Sequence, residues 1–167
     1  MSKLRSRGVR CARVKWLLAS LSIFLVACAS TGVRQATPSE VSAALGDRAA
    51  AQAATLRGRP YRFGGASVST GFDCSGLVQY SYRQVGVALP RSTDAQRKVS
   101  RPVGLSSVRR GDLLFFDLEG KKHSHVGIYL GDSRFIHAPS TGKNVRNDRL
   151  DAPYWKRHLS EARRVTA

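Results

Sequence analysis

The period of apolar and polar positions changes several times along this chain, and each change predicts a boundary. Trp16 to Ala27 is apolar throughout except for Ser20 and Ser22. Pro38-Ser39-Glu40 opens an Ala-rich stretch to about Arg57, which reads as a helix with Ser39 near its cap. Gly58 to Asp73 loses all periodicity, is punctuated by Gly64-Gly65 and Gly71, and reads as loop. Helical spacing returns at Cys74, with apolar residues at Leu77, Val78, Tyr80, Tyr82 and Val85, and Gly86 closes the segment. Leu89-Pro90-Arg91 is a break, and Ser92-Thr93-Asp94 starts a short helix. From Arg109-Arg110-Gly111-Asp112 the chain turns into Leu113 to Phe116, a continuous apolar strand. His125 to Leu130 and Arg134 to Ala138 follow as strands joined by Gly131-Asp132-Ser133. Val145 to Arg149 reads as a fourth strand, Pro153-Tyr154-Trp155 as a helical turn, and Ala162 to Thr166 as a last strand. Helices first and an antiparallel sheet afterwards is the α+β pattern.

The alternation in His125 to Leu130 places Val126, Ile128 and Leu130 on one face and His125, Gly127 and Tyr129 on the other. A tight turn centred near Gly131 then sets His125 directly opposite His137, ~5 Å apart at Cβ. A shift of one residue would part them onto opposite faces.

The apolar run near the start changes the picture of the whole chain. It follows six Lys or Arg in residues 1–15 with no acid, and it is shorter than the ~20 residues of a membrane span. A basic segment, a short apolar segment and a small residue before a cut make a secretory leader, with an uncut N-terminal anchor as the alternative. Leu25-Val26-Ala27-Cys28 resembles the processing site of a bacterial lipoprotein. That resemblance implies cleavage before Cys28 and lipid on its thiol. With Ala29 rather than an acid next, it implies the periplasmic face of the outer membrane. Several acyl chains anchor stably where one is marginal, since each buried CH₂ is worth ~0.8 kcal/mol. The expected organisation is a leader over residues 1–27, a lipidated start and tether over 28–38, and one catalytic domain over 39–167.

Charge narrows the partners. The formal +17 falls to +11 once the leader's six cations are removed. The remaining cations are spread along the chain without a nucleic-acid motif, so no nucleic acid is expected. An anionic wall or lipid surface fits an exported basic chain, although most of these cations serve as solvated surface.

Of three cysteines, Cys11 lies in the leader and Cys28 at the lipidation site, which leaves Cys74 without a partner inside the chain. Such a thiol is either reactive or intermolecular. Its place at a helix start favours thiolate. Taken alone, a Cys opening an apolar helix is usually a small core residue and a strand His usually a satisfied one. Together, Cys74, His125 and His137 have the parts of an activated thiol: nucleophile, base and a group that orients the base, with the ion pair supplying the nucleophile. His123 is the rival base, expected in a solvated turn after Lys121-Lys122; His158 is given no role. The three residues lack the local ligand spacing of a zinc site, and no cofactor is expected.

Pro60-Tyr61-Arg62-Phe63-Gly64-Gly65, Phe72-Asp73-Cys74-Ser75-Gly76, Leu89-Pro90-Arg91-Ser92, Gly111-Asp112-Leu113, His125-Val126-Gly127-Ile128-Tyr129 and Phe135-Ile136-His137-Ala138 together resemble the NlpC/P60 (NlpC-type) cysteine peptidases, papain-like hydrolases of peptidoglycan. The ending, Pro153 to Arg157 and Glu161 to Val165, is similar to the outer-membrane lipoprotein murein endopeptidases of that family. The resemblance implies Cys74 as nucleophile, His125 as base, His137 as its orienting residue and Tyr61 on the oxyanion side of the cleft. Asp73 is expected to cap the helix, and Gly64, Gly65 and Gly76 to allow close backbone approach. The expected activity is hydrolysis of peptidoglycan stem peptides or cross-links, the subgroup favouring the D-alanine to meso-diaminopimelate bond. The alternatives are the D-glutamyl to diaminopimelate bond within a stem, a wall-binding lipoprotein without catalysis, and acyl transfer to lipid. Peptidoglycan and outer-membrane lipid, through Cys28, are the expected partners. A periplasmic protease or adaptor would serve as regulator, and a monomer is expected.

Overall fold

Thr37, not Ser39, opens the first helix. The computed structural model describes residues 35–166. The leader, Cys28 and most of the expected tether lie outside those residues. The Thr37 hydroxyl accepts from the Glu40 N–H at 3.2 Å, and the Glu40 carboxylate accepts from the Thr37 N–H at 2.7 Å. Ser39 already lies inside the first turn and cannot make this reciprocal cap. Helix α1, Pro38–Thr55, buries a small-residue face of Ala49, Ala50 and Ala53.

The segment read as loop contains a short hairpin, β1 (Ala66–Ser67) and β2 (Gly71–Phe72). Helix α2, Cys74–Arg83, and helix α3, Thr93–Lys98, start where the sequence predicts, capped by Asp73 and Ser92. The sheet comprises β3 (Arg101–Val103), β4 (Leu113–Leu118), β5 (Lys121–Gly131), β6 (Arg134–His137), β7 (Arg146–Arg149) and β8 (Leu159–Arg164). A 3₁₀ turn, Leu105–Ser107, follows β3, and helix α4, Pro153–His158, precedes β8. The order is β3-β8-β4-β5-β6-β7, antiparallel at each pairing. Strand β3 has no alternation to read and contains Pro102, which an edge strand tolerates. The last strand begins three residues earlier than predicted and ends at Arg164, because Leu159 already pairs with Phe116.

Two apolar layers cover the sheet. Leu113, Phe115, Val126, Ile128 and Ile136 pack against Ala50 and Ala53 of α1 and Leu77, Val78 and Tyr82 of α2. Leu114, Phe116, Phe135 and Ala162 face the other way, under Trp155 of α4. The Tyr82 hydroxyl donates to the Gly111 carbonyl at 2.6 Å and so locks α2 to the start of β4. Buried Asp112 accepts two hydrogen bonds from Arg164, at 2.7 and 2.6 Å, closing β4 onto β8. No helix among the described residues is long and apolar enough to cross a membrane.

The β5–β6 register differs from the expected one by two residues. Asp132 and Ser133, at φ 50° and 54°, form the turn, and the pairing shifts between Tyr129 and Gly131. Ile128 therefore pairs with Ile136 and Tyr129 with Phe135. His137 comes level with Gly127 rather than His125. Because side chains alternate with period two, a two-residue shift keeps both histidines on one face as diagonal neighbours.

Candidate active site

Asp73 builds the nucleophile's side of the site. Its carboxylate accepts from the Gly76 N–H at 2.7 Å as helix cap, and from the Gly64 N–H at 3.0 Å. Arg91 grips both carboxylate oxygens and also donates to the Ser75 hydroxyl at 2.9 Å. The predicted break at Pro90 thus carries a guanidinium that neutralises the cap. Two glycines allow the loop to touch the helix: a Cβ on Gly76 would lie 2.0 Å from the Gly65 carbonyl oxygen, and one on Gly65 2.5 Å from that of Gly71. Gly64 does something else. Nothing lies within 4 Å of its Cβ direction, and its φ of 73° is the reason for glycine there.

Cys74 is partly buried and is the one free cysteine among the described residues. Its Sγ lies 3.8 Å from the Thr93 hydroxyl, and the backbone N–H groups of Val126 and Ser75 also favour its thiolate. Desolvation outweighs these donors and pushes the thiol above its ordinary value near 9. Tyr61 stands beside it with a hydroxyl that makes no hydrogen bond among the described residues. Burial, then the neighbouring Cys74 and Asp73, raise that phenol's pKa and keep it a donor.

The base's side is assembled from strands. His125 Nε2 lies 2.7 Å from His137 Nδ1, and His137 Nε2 lies 3.1 Å from Asp148 Oδ2. The same carboxylate oxygen accepts from Arg146 at 2.9 Å and from the Trp155 indole N–H at 3.0 Å. The partners assign the protons. Asp148 can only accept, so His137 carries its proton on Nε2. His137 Nδ1 must then accept from His125 Nε2–H, which leaves the lone pair of His125 on Nδ1. Phe116, Phe135 and Trp155 wall in both rings, Trp155 stacking on His125 at 5.9 Å. Burial, with His137 adding to it, pushes His125 down to about 3. Burial lowers His137 as well, and the hydrogen bond from His137 holds Asp148 well below the usual carboxylate range. A raised thiol beside a lowered imidazole favours a neutral resting pair over the ion pair expected from the sequence, with the proton moving as the thiol attacks.

The structure brings Tyr61, Cys74, His125 and His137 together. Two adjoining hollows of about 480 and 370 Å³ share Tyr61, Cys74 and Ser124. His125 opens into the second; Arg91, Thr93 and exposed Phe63 line the first. His123 is not in a solvated turn. It lies in a bulge at φ 49°, with Nε2 3.3 Å from Glu161 and its N–H on Asp117, and takes no part in the relay. His158 bonds the Tyr154 carbonyl at the end of α4. Asp148, Arg146 and Arg91 were not singled out by sequence reasoning. The signal for Asp148 was its place in the fourth strand: Arg146 pairs with His137, which sets Asp148 diagonally across from that ring. Arg91 stood within the motif Leu89-Pro90-Arg91-Ser92, which gave it no role of its own.

The NlpC/P60 family matches residues 58–164. The chain is 46% identical over 115 residues to murein DD-endopeptidase MepS/murein LD-carboxypeptidase of Escherichia coli K12, covering 68% of this chain and 60% of that protein. To murein DD-endopeptidase MepH of the same organism it is 43% identical over 112 residues, covering 65% of this chain and 41% of that one. It thus spans 41 to 60% of the length of these relatives. A solved lipoprotein-like NLP/P60 protein from Staphylococcus aureus superposes with a TM-score of 0.67 at 38% identity, covering 74% of this chain and 42% of that one. The helix carrying the thiol, packed on an antiparallel sheet carrying the histidines, is the papain-like arrangement.

Proposed function

We propose, from the premise that this chain belongs to the NlpC/P60 family, that it is a thiol endopeptidase of peptidoglycan. The observation that carries this reading is the run Asp148–His137–His125, which leaves His125 Nδ1 unshared on a residue lining the hollow that also holds Cys74. Cys74 Sγ attacks the amide carbonyl as His125 Nδ1 takes the thiol proton. The negative charge on the carbonyl oxygen is met by the Cys74 backbone N–H at the helix start and the Tyr61 hydroxyl. His125, now cationic, is stabilised through His137 by Asp148 and returns the proton to the leaving nitrogen. Water, deprotonated by the same imidazole, releases the acyl group from sulfur.

The bond assigned is the D-alanine to diaminopimelate cross-link, as the names of the two relatives suggest. The second name of the 46% identical relative, murein LD-carboxypeptidase, adds removal of a terminal residue as a companion activity. A soluble chain beginning near Thr37 should digest purified sacculi, and Cys74→Ala should be folded and inert. Muropeptide mass spectrometry separates these products from those of a cut between D-glutamate and diaminopimelate. Full activity of Cys74→Ala would end the thiol mechanism.

Cys28 lipidation and residence on the periplasmic face of the outer membrane belong to the same proposal, supported by the basic-apolar leader and Leu25-Val26-Ala27-Cys28. Cys28→Ala should lose acyl labelling and membrane association while keeping hydrolysis. Unchanged fractionation would place the anchor elsewhere.

A further inference from the structure

The groove continues beyond His125. The hollow that holds Cys74 and His125 shares Leu118, Glu119, Pro139 and Ser140 with a further one of about 300 Å³ that reaches Arg146 and Tyr154. His125 must hand its proton to the departing nitrogen, so the leaving half of a substrate lies on this side of Cys74. The acyl half then lies along Phe63 and Thr93.

Charge on the two sides differs. In the acyl hollow the cation is Arg91, already held by Asp73. On the leaving side Arg146 is held by Asp148, but Lys121 makes no ion pair or side-chain hydrogen bond among the described residues. Its backbone is fixed: Leu118 pairs with Lys121 around Glu119 and Gly120, whose φ values of 54° and 70° make a two-residue hairpin turn. Residues 122–124 bulge opposite Asp117, and the bulge is tied by the His123 N–H on Asp117 at 2.7 Å and the Leu118 N–H on the Ser124 hydroxyl at 3.0 Å. Ser140 brings a hydroxyl that makes no hydrogen bond among the described residues into the same hollow from the loop after β6.

We propose that Lys121, with Ser140, is a specificity-determining carboxylate subsite that binds the free carboxylate on the carbon carrying the leaving nitrogen. The inference rests on the peptidoglycan reading above and names the substrate feature that reading leaves open. A D-alanine to diaminopimelate cross-link has that free carboxylate beside its scissile nitrogen. So does the terminal D-alanine of a tetrapeptide stem. In a stem that continues past diaminopimelate, the corresponding carboxyl next to the D-glutamyl bond is tied up as an amide. One cation on the leaving side therefore accepts the first two bonds and disfavours the third. Glu119 shares the hollow, with no ion pair or side-chain hydrogen bond among the described residues, and its charge opposes the ligand's.

The test uses the full-length protein in detergent and a cross-linked muropeptide dimer, prepared with the leaving-side carboxylate free or amidated. The wild type should prefer the free acid by about tenfold or more in kcat/KM, as a charge-assisted hydrogen bond implies. Lys121→Gln should lose that preference through KM and leave the amidated dimer unaffected. Lys121→Arg should restore it, and Glu119→Gln should leave it intact or strengthen it. An equal loss on both dimers, or a preference that survives Lys121→Gln, overturns the proposal. Calorimetric binding of both dimers to Cys74→Ala, with and without Lys121→Gln, reads the subsite apart from the bond cut. If the wild type cuts a different bond, the functional reading fails, while a Lys121-dependent binding preference still supports the subsite and its absence still overturns it.

Discussion

The two halves of this site are built on different principles. The nucleophile's half is local: Tyr61 to Gly76 supplies the loop, the cap, the close glycine contacts and the thiol, and Arg91 braces it from a nearby turn. It is polar and open to the groove. The base's half is assembled from β5, β6, β7 and α4, whose groups meet only through sheet register, and aromatic rings dry it. A thiol needs access, whereas a relay of imidazoles needs fixed tautomers, and those come from burial and from a carboxylate that can only accept. The first half can therefore sit on a loop and a helix start; the second requires a core.

The largest effects should come from breaking the relay in sequence. His125→Ala should cost ~10²–10⁴-fold in kcat, the usual worth of general acid–base catalysis. His137→Ala should fall short of that. His137→Gln or His137→Asn should keep more activity still, since either amide can accept from His125 Nε2–H. Asp148→Asn keeps an acceptor for His137 but removes the charge that stabilises the imidazolium, and should cost roughly tenfold, about 1.4 kcal/mol. Steady-state kinetics on one muropeptide dimer rank all of them. A folded His137→Gln as inactive as His125→Ala, or a lethal His123→Ala, would show the base and its orienter to be misassigned.

Reactivity of Cys74 sharpens the contrast. A thiol raised above 9 beside a neutral imidazole should alkylate ~10-fold faster per pH unit from pH 6 to 9, following the thiolate fraction. His125→Ala should leave that profile nearly unchanged. A plateau near neutrality that vanishes in His125→Ala would establish a resting ion pair instead.

Much of the nucleophile's half was legible because its signals are contiguous: the cap, the helical spacing after Cys74 and Gly86, and the glycine punctuation before it. The base's half was legible only to the level of parity. Alternation placed His125 and His137 on one face, but the bulge at Leu130 and the turn at Asp132-Ser133 moved His137 level with Gly127, and no local pattern announces a bulge. Asp148 was hidden for the same reason, its role being set by the pairing of Arg146 with His137. The cap at Thr37 was missed because Ser39 is an equally good capping residue, and the following proline and Glu40 decided between them.

Acid should destabilise the base's half specifically. His125, His137 and Asp148 all have folded pKa values below their unfolded ones, so the unfolded chain binds more protons and stability falls as pH falls. For His125 the loss begins below the ordinary 6.5 and continues towards about 3; for Asp148 it begins below 3.8. Urea midpoints should fall steeply from pH 7 to 4.5, and His125→Gln should flatten that slope. An unchanged slope would mean that the imidazole is not buried neutral.

The smallest effect should come from the brace on the nucleophile's half. Arg91→Met leaves the Asp73 carboxylate, with 12% of its side chain exposed, facing only amide and hydroxyl donors. The Arg91 side chain is itself 39% exposed, so water screens much of the pair. A loss of about 1–2 kcal/mol is expected, at roughly 2–4 °C per kcal/mol for a chain of this size. Asp73 also raises the thiol's pKa, and without the guanidinium that influence grows. Alkylation of Cys74 at pH 8 should slow severalfold. The acid slope of stability should not move, because no group of the imidazole relay touches Arg91. Thermal melts and alkylation rates on the same preparation separate these expectations: a change in the acid slope would couple the two halves, and wild-type values for both readouts would remove Arg91 from the nucleophile's support altogether.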